Sequence, residues 1–176
     1  SCSWCDTPSA RSAKAGQTMS LQQVRDRVIA CGCPRVEVTG GEPLLQTETP
    51  NLLASLCDDG MEILLETNGS IDIAGVDRRV RRIVDVKCPS SGMADRMDWR
   101  NMELVGAGDE VKFVIGSTED FDFAVRIVDT YTLTETTDVI FSPVCDTLEP
   151  SALAEMILAA GLDVRVGLQI HKILWP

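Results

Sequence analysis

Val36-Glu37-Val38-Thr39 runs directly into Gly40-Gly41-Glu42-Pro43, and a few residues later Thr49-Pro50 opens a stretch with helical spacing. A β-branched run, a glycine turn and a helix start in that order read as one parallel βα unit. The same order recurs on both sides of it. Strand candidates fall at 36–39, 63–66, 83–86, 111–115, 139–142 and 164–169. Between them, Ser20 and Gln23 form a capping box ahead of Leu21, Val24 and Val28, and Thr49 with Pro50 starts a helix that buries Leu52, Leu53 and Leu56. Pro150 opens another, with Leu153, Met156, Ile157 and Ala160 on one face and Gly161 as its stop. Residues 89–108 are the least regular and read as a loop with one short helix. Thr39, Glu42, Glu66, Asn68, Lys87 and Ser142 all fall at or just beyond the carboxyl ends of these strands. Parallel α/β folds place their chemistry at that rim.

The bulk numbers set limits on the chemistry. A chain of 176 residues with 44% hydrophobic content builds one domain with a real core. Its formal charge of −11 disfavours a polyanionic partner, so a small molecule is expected as substrate and no nucleic acid. No apolar run approaches the roughly 20 residues that span a bilayer, and no basic segment precedes an apolar one, so a cytoplasmic protein without membrane contact is expected. The seven cysteines are an odd count in a domain large enough to fold without staples, which points to metal or cofactor chemistry before a disulfide framework.

Cys2-Ser3-Trp4-Cys5 is a CxxC within a turn. Two thiolates at this spacing serve zinc, a redox disulfide or part of an iron–sulfur cluster. Gly40 and Gly41 allow close backbone approach to a ligand, and Glu42 can accept from an ammonium group. Together the CxxC and the Gly-Gly-Glu after the first strand resemble the radical S-adenosylmethionine superfamily. In that superfamily a CxxxCxxC loop holds a [4Fe–4S] cluster with one open iron, and Gly-Gly-Glu grips the amino group of the methionyl moiety. The resemblance implies a partial (β/α)6-type parallel barrel. It also implies a further cysteine at the third position before Ser1 and a first strand upstream, so that residues 1–176 form one N-terminally incomplete core domain.

Further stretches narrow the likeness. Cys5-Asp6-Thr7, Glu66-Thr67-Asn68-Gly69, Asp85-Val86-Lys87-Cys88-Pro89-Ser90-Ser91-Gly92, Asp109-Glu110-Val111-Lys112, Ser142-Pro143 and Gln169-Ile170-His171-Lys172, in this order, resemble the 7-carboxy-7-deazaguanine synthase family. The family implies conversion of 6-carboxy-5,6,7,8-tetrahydropterin to 7-carboxy-7-deazaguanine with loss of ammonia, using S-adenosylmethionine, a [4Fe–4S] cluster and Mg2+. By the same resemblance Cys2 and Cys5 ligate the cluster and Thr7 gives an oxygen to Mg2+. Trp4, Asp6, Gly41, Glu42, Asp85, Val86, Lys87, Ser142 and Pro143 line S-adenosylmethionine, while Thr39, Glu66, Asn68, Gln169 and the terminal carboxylate of Pro176 meet the pterin. A homodimer and an external, flavodoxin-like electron donor are implied in the same way.

The remaining residues carry blander readings. Cys31, Cys33, Cys57, Cys88 and Cys145 read as buried or half-buried thiols without metal. His171 is the only histidine and has no GxSxG elbow beside it, which excludes a hydrolase triad. Glu119, Asp120 and Asp122 read as solvated carboxylates at a helix start. Trp99, Met93, Met97 and Met102 read as packing before a lid. Two other functions stand beside the lyase: a glycyl-radical-enzyme activase, and a non-catalytic CxxC metal or redox module.

Overall fold

The computed structural model describes residues 2–5, 7–12 and 16–174, without the side chains of Arg11, His171 and Ile173. Six strands lie side by side in chain order, every neighbouring pair parallel. They are β1 (Arg35–Val38), β2 (Glu62–Thr67), β3 (Arg81–Val86), β4 (Glu110–Ile115), β5 (Asp138–Pro143) and β6 (Arg165–Val166). The helices are α1 (Leu21–Ala30), α2 (Thr49–Asp58), α3 (Thr118–Tyr131), α4 (Leu133–Thr136), α5 (Pro150–Ala160) and α6 (Ile170–Leu174). Parallel crossovers share one hand, so a sequential strand order sends every crossover to the same face of the sheet. The result is a six-stranded parallel α/β sheet of the partial-barrel kind that the resemblance implies.

Side-chain alternation explains which face is covered. Ile63, Leu65, Val84, Val86, Val111, Phe113, Val139 and Phe141 are all buried, and each is separated from the next on its strand by a more exposed residue of the other face. Phe113 and Phe121 both meet the Phe141 ring edge-on, at 5.4 and 5.8 Å between centroids. The other face mixes polar side chains such as Glu37, Glu66, Asp85 and Lys112 with Leu64, Ile83 and Ile140, and its described strand positions other than Ser142 are at least partly exposed.

At the amino ends of the strands that open face holds a row of ion pairs. Arg35 meets Glu62 at 2.8 Å, Arg81 meets Glu110 at 2.6 Å, and Arg165 meets both Glu110 at 2.9 Å and Asp138 at 3.4 Å. This row lies at the end opposite the rim.

Several expectations shift. The capping box at Ser20 and Gln23 is formed, and α5 ends at Gly161 with φ of 64°. Thr49 is the first residue of α2, and its hydroxyl donates to the Pro43 carbonyl at 2.7 Å; Leu52 is only partly buried and Ala160 is exposed. The sixth strand is much shorter than 164–169. A Cβ on Gly167 would lie 2.6 Å from Ile140 Cγ2 and 2.7 Å from Ser142 Oγ, and after its N–H bonds the Phe141 carbonyl the chain turns away. Residues 89–108 form three short 310-helical turns. The fully buried Asn101 ties them to the β2–β3 connection, donating to the carbonyls of Gly69 (3.0 Å) and Ile71 (2.9 Å) and accepting from the Ile73 N–H (3.1 Å). Met97 and Met102 are buried and Trp99 stacks on Tyr131 at 6.1 Å, so this segment is packing.

Candidate active site

The Cys2–Cys5 segment is a turn closed by the Cys5 N–H on the Cys2 carbonyl at 3.4 Å. Its middle is pinned to the loop that follows β3. The Ser3 N–H donates to the Ser91 carbonyl at 3.2 Å, and the Ser3 hydroxyl lies 3.3 and 3.2 Å from the carbonyls of Ser90 and Ser91. Cys2, Trp4 and Cys5 are half-buried there, over the carboxyl end of the sheet. Thr7 is exposed immediately before the 310 turn Pro8–Arg11, and the Ala10 carbonyl of that turn crosses over Gly41. A Cβ on Gly41 would sit 2.7 Å from that carbonyl oxygen, and Gly40 takes a φ of 140°. The two glycines thus serve different needs: Gly40 a backbone conformation, Gly41 the approach of the chain's own cysteine loop.

Glu42 lies at the expected place but faces inward. Its carboxylate accepts from the Thr67 hydroxyl at 2.9 Å, the Asn68 N–H at 2.8 Å and the Leu44 N–H at 3.1 Å, which ties the Gly-Gly-Glu turn to the end of β2. The Asn68 side chain accepts from the Ser70 N–H at 3.0 Å. Its carbonyl oxygen is therefore engaged in its own turn.

The remaining rim residues come together on the open face. Lys87 Nζ lies 2.7 Å from Asp85 Oδ2, and Lys112 Nζ lies 2.9 Å from Glu66 Oε1; the Thr39 hydroxyl reaches Glu66 Oε2 at 3.4 Å. Burial works against both ammonium groups, yet the carboxylates outweigh it and hold both pKa values above the ordinary lysine value. Asp85 acts most on Lys87, with help from Cys2; Asp85 and Glu66 act on Lys112. A cavity of about 210 Å3 opens beside them, lined among others by Glu37, Glu66, Ile83, Lys112, Ile140 and Ser142. Partial desolvation and the neighbouring Glu66 raise the carboxyl of Glu37, a residue otherwise exposed. Val86 and Pro143 are buried on the helix-covered side, so a ligand could meet only their backbone. Gln169 is half-buried beyond β6, and its carbonyl accepts the Lys172 N–H at 3.0 Å. Asp6 and Pro176 lie outside the described residues.

The donor set fits an iron–sulfur cluster with S-adenosylmethionine beside it. Two thiols share one turn next to a cation, and Asp85 Oδ1 is buried with no hydrogen-bond partner among the described residues. That acceptor suits a ligand donor. No group of three or more His, Cys, Asp or Glu side chains is gathered for a metal ion among the described residues. Against the expectation of buried or half-buried thiols, Cys31, Cys33 and Cys145 are exposed, on turns and a loop outside the packed core; Cys57 is half-buried, and Cys88 is buried with its thiol pushed up strongly by burial.

Three residues were missed by sequence reasoning. Glu37 shares the face of Thr39 by simple alternation, and Lys112 that of Glu110, so both were legible. Asp120 was not. It is fully buried, and its carboxylate accepts from the N–H of Ser90 (2.9 Å), the Ser90 hydroxyl and the N–H of Gly116 (2.9 Å), which corrects its reading as a solvated helix-start residue.

Comparison with known proteins agrees with this geometry. The profile of the radical SAM superfamily matches residues 1–141. A 7-carboxy-7-deazaguanine synthase of Chlorobaculum tepidum is 40% identical over 99% of this chain and 80% of its own length. Those of Koribacter versatilis and Leptospira interrogans are 37% and 35% identical, over 83% and 78% of their lengths and 99% and 98% of this chain. Among solved structures, Streptococcus suis SuiB bound to its precursor peptide SuiA superposes with a TM-score of 0.65 at 10% identity, over 96% of this chain and 46% of SuiB. SuiB bound to S-adenosylmethionine gives 0.60, also at 10% identity, over 96% of this chain and 44% of SuiB, so the chain spans less than half the length of these structures. At that identity the likeness concerns the fold alone. The shared profile, the near full-length relatives and the thiol turn at the sheet's rim together place this chain in the radical SAM superfamily and, within it, in the 7-carboxy-7-deazaguanine synthase family.

Proposed function

We propose that this protein converts 6-carboxy-5,6,7,8-tetrahydropterin to 7-carboxy-7-deazaguanine with loss of ammonia, the pterin seated on the open face of the sheet and S-adenosylmethionine along its rim. The observation that carries the reading is the docking of Ser3 on Ser90 and Ser91, which sets the Cys2–Cys5 turn at the same end of the sheet as Thr39, Glu66, Asp85 and Lys87. Membership of the radical SAM superfamily implies a [4Fe–4S] cluster and S-adenosylmethionine, which together supply the radical chemistry for a carbon-bound hydrogen that no side chain here can remove.

The protein's part is to hold and orient. Cys2 and Cys5 provide two thiolates. Asp85 offers its open oxygen to a donor of S-adenosylmethionine, joined by Trp4, Asp6, Lys87, Ser142, the turn at Gly41 and Glu42, and the backbone at Val86 and Pro143. Glu66, fixed on one side by Lys112 and on the other by Thr39, accepts from the N–H edge of the pterin. Asn68, Gln169 and the Pro176 carboxylate complete that pocket. Thr7 gives one hard oxygen to Mg2+, which commonly keeps several waters and takes few protein ligands.

A homodimer, an external flavodoxin-like electron donor and a cytoplasmic setting belong to the same proposal. The exposed apolar side chains of Val166, Leu168, Ile170 and Leu174, on and beyond the edge strand β6, support a second copy there. No helix among the described residues is long and apolar enough to cross a membrane. The similarity to 7-carboxy-7-deazaguanine synthases along almost the whole chain favours the lyase over the activase and binding-module readings.

The test is anaerobic reconstitution of the full-length protein with iron, sulfide, Mg2+, reductant, S-adenosylmethionine and the pterin. Ammonia and 7-carboxy-7-deazaguanine are expected by mass spectrometry. No deazaguanine, with cofactor cleavage equally fast with and without the pterin, would refute the assignment.

A further inference from the structure

We propose that Asp120 is a positioning residue for the cysteine loop: through Ser90, its buried carboxylate sets where Cys2 and Cys5 stand over the rim. The consequence for a cluster rests on the functional reading above. The link itself rests on geometry alone.

Asp120 lies in the first turn of α3, where a carboxylate ordinarily serves the helix start. Here that need is met otherwise, because Ser117 caps the helix and its hydroxyl accepts the Asp120 N–H at 3.2 Å. The Asp120 carboxylate instead leaves its own helix. It takes the N–H and the hydroxyl of Ser90 and the N–H of Gly116, with no exposed surface. A carboxylate is expensive to bury, and three donors converging on it are what makes burial tolerable. The neighbouring backbone is fitted to the arrangement. A Cβ on Gly116 would lie 3.1 Å from Val144 Cγ2 and 3.4 Å from both Asp120 Oδ2 and Ser90 Oγ, tight on one side and at contact on the others.

Ser90 passes the constraint on. Its two donors face Asp120 while its carbonyl, with that of Ser91, receives Ser3. The turn between has little freedom, since the Ser91 hydroxyl donates to the Cys88 carbonyl at 2.5 Å and accepts from the Met93 N–H at 3.0 Å. Ser3 sits between the two cysteines. Thus the chain Asp120, Ser90, Ser3 runs from a buried anion to the middle of the ligand loop, and groups that orient ligands from behind in this way commonly govern a metal site's affinity and potential.

Asp120→Asn and Ser3→Ala separate a positioning role from a merely structural one. In the cluster-free protein, hydrogen exchange at the Ser3 amide should quicken about tenfold in Asp120→Asn, as expected when a supporting hydrogen bond is lost. After reconstitution, the variant should show a shifted EPR spectrum of the reduced cluster, a changed midpoint potential and more S-adenosylmethionine cleaved per product formed. Ser3→Ala removes the hydroxyl bonds to Ser90 and Ser91, the side-chain part of the link, at its other end, leaving the Ser3 N–H on Ser91 and the buried carboxylate undisturbed. It should reproduce the spectral shift and the uncoupling at wild-type melting temperature, and it decides the question alone if Asp120→Asn does not fold. Wild-type spectra and coupling in Ser3→Ala overturn the proposal, whatever Asp120→Asn does. Absence of an iron–sulfur signal from the wild-type protein would defeat the functional reading instead, and Ser3 exchange in the cluster-free chain would still decide the link.

Discussion

Lys87 Nζ holds one oxygen of Asp85 at 2.7 Å, while the other oxygen, Oδ1, is buried and has no hydrogen-bond partner among the described residues. A half-satisfied carboxylate beside the thiol turn is poised for a donor that arrives with a ligand. Asp85→Asn should therefore weaken S-adenosylmethionine binding by about tenfold or more, since it removes the charge that strengthens such a bond. Calorimetric titration of the reconstituted protein gives the affinity, and an unchanged value would remove Asp85 from the cofactor site.

Lys112 and Glu66 form the second pair on the open face, each about three-quarters buried. Lys112→Met leaves the Glu66 carboxylate without its cation, at a cost of roughly 1–3 kcal/mol of folding stability. Because Glu66 is proposed to face the pterin, KM for the pterin should rise in this variant while cleavage of S-adenosylmethionine without substrate holds its rate. Equal loss of both would make the pair purely structural.

Glu37 carries a pH signature. Partial desolvation and then Glu66 raise its carboxyl, although the residue as a whole is exposed, against a smaller opposing pull from Lys112. A carboxyl raised in the folded state adds stability while it is protonated, below the ordinary glutamate range, and loses that contribution as pH rises through its raised value. Glu37→Gln should then melt higher than wild type at about pH 7 and lose this advantage as pH falls towards about 4. Melting curves across that range check the sign.

Gly41→Ala should act on the cysteine loop more than on the fold. Its new Cβ would press on the Ala10 carbonyl at 2.7 Å, so the loop must lift from the Gly-Gly-Glu turn. Iron uptake on reconstitution should fall several-fold, with the melting temperature of the cluster-free protein lowered only slightly, because Gly41 is exposed. Wild-type iron content would show that the loop accommodates the methyl group.

Much of the fold was legible because parallel βα units advertise themselves. Five strands fell within one or two residues of their expected bounds, and the Ser20 box and the Gly161 stop are local signals that the structure keeps. The sixth strand was overextended because its end is decided by Gly167 passing Ile140 and Ser142, a contact between segments far apart in sequence. The placing of polar side chains at the rim was legible where residue type and strand end coincide, as at Thr39, Glu66 and Lys87. It was illegible where a side chain answers to a distant partner. Asp120 looks like any helix-start acid until Ser90 is brought to it, and Glu42 looks ready for an ammonium until Thr67 and Asn68 close on it.

The row of ion pairs at the amino ends of the strands bears on how this sheet finds its alignment. Alternation of apolar and polar side chains repeats every two residues, so it rejects a slip of one residue but is blind to a slip of two. A two-residue slip would keep Val84, Val111 and Val139 on the covered face. It would also draw Arg81 from Glu110, and Arg165 from Glu110 and Asp138, by about 6.6 Å, beyond the reach of an ion pair. Arg35 and Glu62 impose the same condition on β1 and β2. These charges thus act as a key that selects one register among those the hydrophobic pattern allows, and they do so at the end of the sheet away from the cysteine turn.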